Sequence, residues 1–232
     1  MSAARPYAYS VPNSQLITSL HLEKHFEGGY FAQTVSLESA PSSLSPDSAL
    51  LPTSKALDGR AQHAVGSGAD LLPSPPPAEG DKKVDATCIY YLLTPDSYRG
   101  RMHMNLHATF HIHHAGRALY TLIQPHADAT SPPTIKRIVM GDDAARGEVR
   151  QLFVPGGWWK ASEIPEEDLL LASTDKDNSG CLISEVVVPG WNPDQHQFID
   201  EDKMKAMWKG DEGWKEYARY IKAPEGLEYP EK

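Results

Sequence analysis

Five of the ten histidines fall within one short stretch, at His103, His107, His111, His113 and His114. Alternate side chains of an extended strand share a face, so His103, Asn105, His107, Thr109, His111 and His113 would line one surface if the stretch were unbroken. The turn-tolerant Asn105–Ala108 segment favours two strands joined by a turn. Either arrangement makes several imidazoles converge. Imidazole is both a metal ligand and the side chain that most readily exchanges a proton near neutral pH, so the chemistry in view is metal binding or acid–base catalysis. His107 and His114 are read as hydrogen-bonded structural or surface residues.

Charged and aromatic residues in apolar surroundings add to this set. Glu185 stands in CLISEVVVPGW, where both alternating faces are otherwise apolar, which predicts a buried carboxylate paired with Lys160 or with a histidine. In HFEGGYF, the Gly28–Gly29 pair permits a tight turn. Glu27 either caps backbone amides there or, with Tyr30, reaches a ligand over the mouth of a pocket. Tyr90 and Tyr91 occupy opposite faces of one strand, so one of them points inward; Tyr120 is a further candidate acid. Trp158 and Trp159 follow Val-Pro-Gly-Gly and either wall a ligand or cover a hydrophobic edge.

The elements that position these residues are mostly strands. Beyond Asp81, ATCIYYLLT, RMHMNLHATFHIHHAG, ALYTLIQP, TIKRIVMG, VRQLFVPGG, DLLLAST and CLISEVVVPGW are short β-type runs divided by Gly, Pro or Asp. Their close spacing and lack of helical period predict an all-β sandwich or barrel. Asn13 or Ser14 can cap a short N-terminal helix with Leu16, Ile17 and Leu20 on one stripe. Met204, Met207 and Trp208, then Trp214, Tyr217, Ala218 and Ile221, predict two amphipathic C-terminal helices packed on the barrel exterior. Residues 1–12 read as a flexible start, 13–222 as one domain, and 223–232 as a tail. From about Ser36 to Gly80 the chain is rich in Ser, Pro, Ala and Gly and reads as a disordered insertion.

Composition narrows the function. The 232 residues carry 22 Lys+Arg against 31 Asp+Glu, a formal charge of -9 with no basic stripe, which argues against nucleic acid as a partner. The first residues lack the charged and apolar regions of a signal peptide, and no apolar run is long enough to span a bilayer. The expectation is a cytoplasmic protein with no membrane partner. The two cysteines, Cys88 and Cys181, read as buried free thiols.

Five blocks together carry a family resemblance: HFEGGYF, TCIYYLLTPDS, MHMNLHATFHIHHAGRALYTLI, VPGGWWKAS and LISEVVVPGW. The chain resembles the small, functionally uncharacterised branch of RmlC-like cupins found in fungi and bacteria. The resemblance implies a double-stranded β-helix jelly roll with a pocket inside the barrel, and a homodimer formed by sheet-to-sheet contact. Laid on the two cupin motifs, His103 keeps its place, but Asn105, Thr109 and Lys160 stand where three further metal ligands belong. Threonine is a weak ligand, asparagine a modest one, and lysine coordinates only after losing its proton.

No cofactor is therefore favoured. A divalent metal, if bound, would use His103, His111 and Glu185. The leading expectation is metal-independent chemistry on a small-molecule metabolite, of isomerase, cyclase or lyase type, in fungal secondary metabolism. It resembles the sugar epimerases of the RmlC-like group in fold and residue types, with His103 or His111 as base, Tyr120 as acid and Lys160 stabilising an enolate oxygen. Glu27, Tyr30, Asn105, Thr109, His113, Trp158 and Glu185 are expected to contact the substrate. A non-catalytic metabolite-binding protein and a metal-dependent oxygenase or decarboxylase are the alternatives.

Overall fold

The structure is a computed structural model that describes residues 11–38, 84–126, 131–172, 176–222 and 224. Two antiparallel sheets face each other as a jelly roll. The strands are β1 (Glu23–Lys24), β2 (Tyr30–Glu38), β3 (Val84–Leu93), β4 (His103–Asn105), β5 (Ala108–Gly116), β6 (Ala118–Gln124), β7 (Thr134–Met140), β8 (Gln151–Val154), β9 (Trp159–Glu163), β10 (Cys181–Val188) and β11 (His196–Phe198). One sheet has the order β1-β2-β3-β10-β5-β8, the other β11-β4-β9-β6-β7.

The histidine-rich stretch breaks at Leu106–His107, and the break sends its two halves into different sheets: β4 joins the five-stranded sheet and β5 the six-stranded one. Within β5 the alternation is kept. Thr109, His111 and His113 are buried, while Phe110 and His114 are exposed. Strand β9 is buried throughout because both its faces are covered: Lys160 and Ser162 line the pocket, and Trp159 packs into a cluster on the other side.

Three apolar clusters hold the fold. One fills the space between the sheets with Leu93, Tyr120, Leu122, Met140, Val154 and Ile183. A second packs α1 (Asn13–Ser19) through Leu16, Ile17 and Leu20 onto Leu92 and Leu182. The third packs the C-terminal segment, Met204, Trp208, Tyr217 and Tyr220, against Met102, Ile123 and Trp159. Helix α2 (Glu166–Ala172) supplies Asp168 and Glu167 to a buried Arg117, whose Nε lies 2.9 Å from Asp168 Oδ2.

Several local expectations are corrected. Neither Asn13 nor Ser14 caps α1. The Asn13 amide donates instead to the carbonyls of Lys176 and Ser179, and Ser14 Oγ to Asp177 Oδ2, so both tie α1 to the Lys176–Asn178 turn. Of the closing elements, Glu201–Trp208 is α-helical (α3) but Glu212–Tyr220 is a 3-10 helix. Its buried or half-buried aromatics, Trp214, Tyr217 and Tyr220, recur every three residues, which suits three residues per turn. Strand β2 continues to Glu38, past the assigned start of the insertion at Ser36; the rest of that insertion, and residues 1–10 and 225–232, lie outside the described residues. Cys88 is half-buried rather than buried; Cys181 is buried, and both are free thiols. No helix among the described residues is long and apolar enough to cross a membrane.

Candidate functional site

A small pocket opens inside the barrel, lined by Glu27, Tyr91, Gly100, Arg101, His103, His111, Tyr120, Lys160, Ala161, Ser162 and Glu185. The walls leave little free space, about 290 Å³ with open solvent included. Of the two adjacent tyrosines, Tyr91 faces the pocket, while Tyr90 lies on the other face against His114, with ring centroids 5.8 Å apart.

The first group of polar residues centres on Lys160. The Lys160 ammonium on β9 forms an ion pair with Glu185 Oε1 on β10. Its Nζ also lies 3.3 Å from His111 Nε2 and 3.4 Å from Thr109 Oγ1. An ammonium can only donate, so His111 Nε2 accepts and the proton of the neutral imidazole sits on Nδ1. That Nδ1 lies 3.3 Å from the Tyr120 hydroxyl and 3.6 Å from Glu185 Oε2. Burial pushes the pKa of His111 down to about 3; Glu185 opposes the shift and Lys160 adds to it. Burial alone would raise the pKa of Glu185, but the Lys160 ammonium and His111 hold it below the ordinary carboxylate value. Burial raises Tyr120 well above an ordinary phenol, so its hydroxyl keeps its proton.

The second group centres on Glu27, in the turn between β1 and β2. Gly28 (φ 102°) and Gly29 (φ 73°) adopt the left-handed conformation that glycine permits, and the Glu27 carbonyl accepts from Arg101 N at 2.6 Å. The turn is pressed against the barrel, since a Cβ on Gly28 would lie 2.6 Å from the Arg99 carbonyl oxygen. This aims the Glu27 carboxylate at three imidazoles: His196 Nε2 at 2.7 Å, His103 Nε2 at 3.4 Å and His25 Nδ1 at 3.6 Å. Burial opposes ionisation of Glu27, yet His103, His25 and His196 hold its pKa well below the ordinary range. Burial lowers His103 to about 4 against the pull of Glu27, so this ring is neutral near pH 7.

Several of the expected residues lie outside the pocket lining. Tyr30 donates its hydroxyl to Asp96 at 2.7 Å on the exterior and does not line the pocket. His113 hydrogen-bonds to the Gly116 carbonyl at 2.7 Å and faces Asp142; it keeps the buried face of β5 but lies further along the strand than His111, outside the pocket lining. Trp158 packs at the edge of the inter-sheet core with the Lys136 ammonium 4.7 Å over its ring, and Trp159 joins the C-terminal cluster, so neither walls the pocket. Asn105 is buried but outside the pocket lining; Thr109 contributes only through Lys160 and His111. The three residues named for a metal, if one binds, divide between the two groups. Among the described residues, the atoms of one set, Glu27, His103 and His196, lie within 4.8 Å of one another, whereas His111 and Glu185 face Lys160.

The sequence does not single out His196, His25 or Arg101 as site residues, whereas Tyr91 is one of the two tyrosines that strand alternation leaves open. His25 sits within the HFEGGYF block, so its proximity to Glu27 was a usable signal. His196 lies in no motif and reaches Glu27 across 169 residues of sequence.

Comparison with known proteins agrees with this architecture. The family described as "Cupin superfamily (DUF985)" matches residues 14–199. The Saccharomyces cerevisiae protein described as "Uncharacterized protein YML079W" is 37% identical over 194 residues, covering 83% of this chain and 78% of its own. Two solved structures share the fold at 20% identity. A hypothetical protein from Leishmania major aligns with a TM-score of 0.58 over 89% of this chain and 97% of its own. Protein SO0799 from Shewanella oneidensis aligns with a TM-score of 0.57 over 92% and 99%.

Proposed function

Since the chain belongs to the cupin superfamily, in the DUF985 family, we propose that its barrel pocket houses an enzyme of isomerase, cyclase or lyase type that moves protons on a small carbonyl metabolite. The observation that carries this reading is the Lys160–Glu185 ion pair with a neutral imidazole nitrogen 3.3 Å from the same ammonium.

Cupins commonly hold a metal, and the residues at those positions do not fit one. Of the four, only His103 is a strong ligand, and Lys160, standing at another, places an ion-paired ammonium where a cation would sit.

The chemistry follows from the two sides of Lys160. A substrate carbonyl oxygen that accepts from the ammonium draws it away from His111 Nε2 and frees that lone pair. His111 then takes the proton α to the carbonyl; the C–H electron pair becomes the C=C bond, and a Lys160 proton moves to the oxygen, giving an enol. Glu185 faces both Lys160 Nζ and His111 Nδ1, so it forms an ion pair with lysine before the transfer and with imidazolium after it. The net charge of the group is unchanged, which keeps the step feasible in a low-dielectric cavity. Tyr120, 3.3 Å from Nδ1, is placed to return a proton to carbon and to be reprotonated from that nitrogen. Return at a new position completes an isomerisation, and departure of a β-substituent with its bonding electron pair, protonated by Tyr120, completes a lyase reaction; in both the C=O bond reforms as the enol O–H proton passes back to Lys160.

The test is hydrogen exchange. In D2O, the protein is expected to wash deuterium into the α-position of a small 2-oxo acid or keto sugar, followed by proton NMR, with loss of the activity in Lys160→Met and His111→Asn. Exchange undiminished in Lys160→Met would overturn the reading. A co-purified metabolite that native mass spectrometry detects and the protein returns unchanged would favour a binding protein instead.

A further inference from the structure

We propose that Glu27, His103 and His196 form a divalent metal site, displaced from the positions that hold metal in other cupins and sharing only His103 with them. The three come from separate elements, the β1–β2 turn, β4 and β11, yet their ligand atoms lie within 4.8 Å of one another. The inference is independent of the proton-transfer reading.

The three side chains meet in a hydrogen-bond conflict. His103 Nδ1 lies 3.0 Å from the Arg101 carbonyl oxygen, which can only accept, so Nδ1 carries the ring proton. Nε2 therefore presents a lone pair, and it points at Glu27 Oε2 from 3.4 Å with no hydrogen-bond partner. His25 adds a second unpartnered nitrogen, its Nδ1, 3.6 Å from the same oxygen. His103 and His25 are each 7% exposed, so water does not readily satisfy them. Two acceptors facing each other in a buried site call for a positive centre between them.

The surroundings favour an ion over a bare proton. An imidazole that donates one ring N–H to a backbone carbonyl while offering the other nitrogen is the arrangement that orients histidine toward a metal. His196 Nε2 donates to Glu27 Oε1 at 2.7 Å, and its unpartnered Nδ1 can take that proton and leave Nε2 free for an ion; its ring stacks on His103 with centroids 5.2 Å apart. Phe198 and Phe26 meet the His196 ring edge-on at 4.9 and 5.5 Å, which fixes its orientation. Two imidazoles and one carboxylate suit zinc, iron(II), cobalt(II) or nickel(II) better than magnesium or calcium, which take oxygen ligands.

The experiment is a cobalt(II) titration of the chelator-stripped full-length protein, read by visible absorption and calorimetry. One cobalt per chain is expected, with ligand-field bands of a nitrogen/oxygen site. Glu27→Gln, His103→Ala and His196→Asn should each weaken binding by more than about 100-fold, beyond what loss of an outer partner costs. Glu185→Gln should bind cobalt like the wild type. Should the variants fail to fold, X-ray absorption of the wild-type complex decides: two coordinated imidazoles support the site, and none overturns it. Absence of stoichiometric cobalt, or binding that survives Glu27→Gln and is lost in Glu185→Gln, would also overturn it. Deuterium exchange by the stripped protein reports separately on Lys160 and His111, so either proposal can fail alone.

Discussion

Lys160 and Glu185 reach each other across the barrel: one stands on β9 of the five-stranded sheet, the other on β10 of the six-stranded sheet, and their charges meet in the cavity between. The pair joins the two sheets and places an ammonium beside His111. Each charge is buried and is tolerated because the other is present.

Removing one partner should therefore cost more than removing both. Lys160→Met or Glu185→Leu is expected to lower unfolding free energy by about 3–5 kcal/mol, since each leaves an uncompensated buried charge. The double variant should recover most of that loss, yet remain without deuterium exchange. Urea denaturation of the three proteins checks this; additive losses in the double variant would show that the charges do not stabilise each other.

Acid should weaken the fold well above the usual carboxylate range. His111 and His103 have pKa values of about 3 and about 4 in the folded chain, below that of an exposed histidine at about 6.5. Between those values the unfolded chain binds protons that the folded chain does not, so stability is complete above about pH 6.5 and falls as pH drops. Each ring contributes a slope of up to about 1.4 kcal/mol per pH unit. Glu27 and Glu185, both held low, extend the loss as pH falls through their folded values. Urea midpoints of metal-free protein from pH 8 to pH 4 measure the curve, and His111→Asn should flatten it. A flat wild-type profile between pH 6.5 and 5 would contradict the burial of neutral rings.

Gly28→Ala should disable the Glu27 group from a distance. The added methyl would meet the Arg99 carbonyl oxygen at 2.6 Å and force a non-glycine residue to φ 102°. The expected cost is about 1–3 kcal/mol, together with displacement of the turn that aims Glu27. Thermal unfolding and the cobalt titration read the two effects; wild-type behaviour in both would mean that the turn yields freely.

Tyr120→Phe separates proton return from packing. The ring stays in the inter-sheet core and only the hydroxyl facing His111 is lost, so stability should change by about 1 kcal/mol. Deuterium exchange at the α-carbon should persist, because His111 can return a deuteron to the carbon it deprotonated, while net turnover to an isomer should fall by about 100-fold or more. Equal turnover in both proteins would remove Tyr120 from the proton path.

Much of this molecule is decided locally. The short β-type runs set the class of fold. Alternation along β5 puts Thr109 and His111 on the inner face, and a single carboxylate among the apolar residues of β10 is a buried charge in need of a partner. What local pattern decides is a face, because the period of a strand assigns each side chain to one side of the sheet and says nothing about who stands opposite. The break at Leu106–His107 shows the limit. It separates His103 from His111 into different sheets, so that one imidazole faces Glu27 and the other Lys160. His196 meets Glu27 only because β11 pairs with β4 and the glycine turn folds over the same end of the barrel. Such partnerships are set by sheet register and loop closure between distant segments, and those exist only once the two sheets have come together.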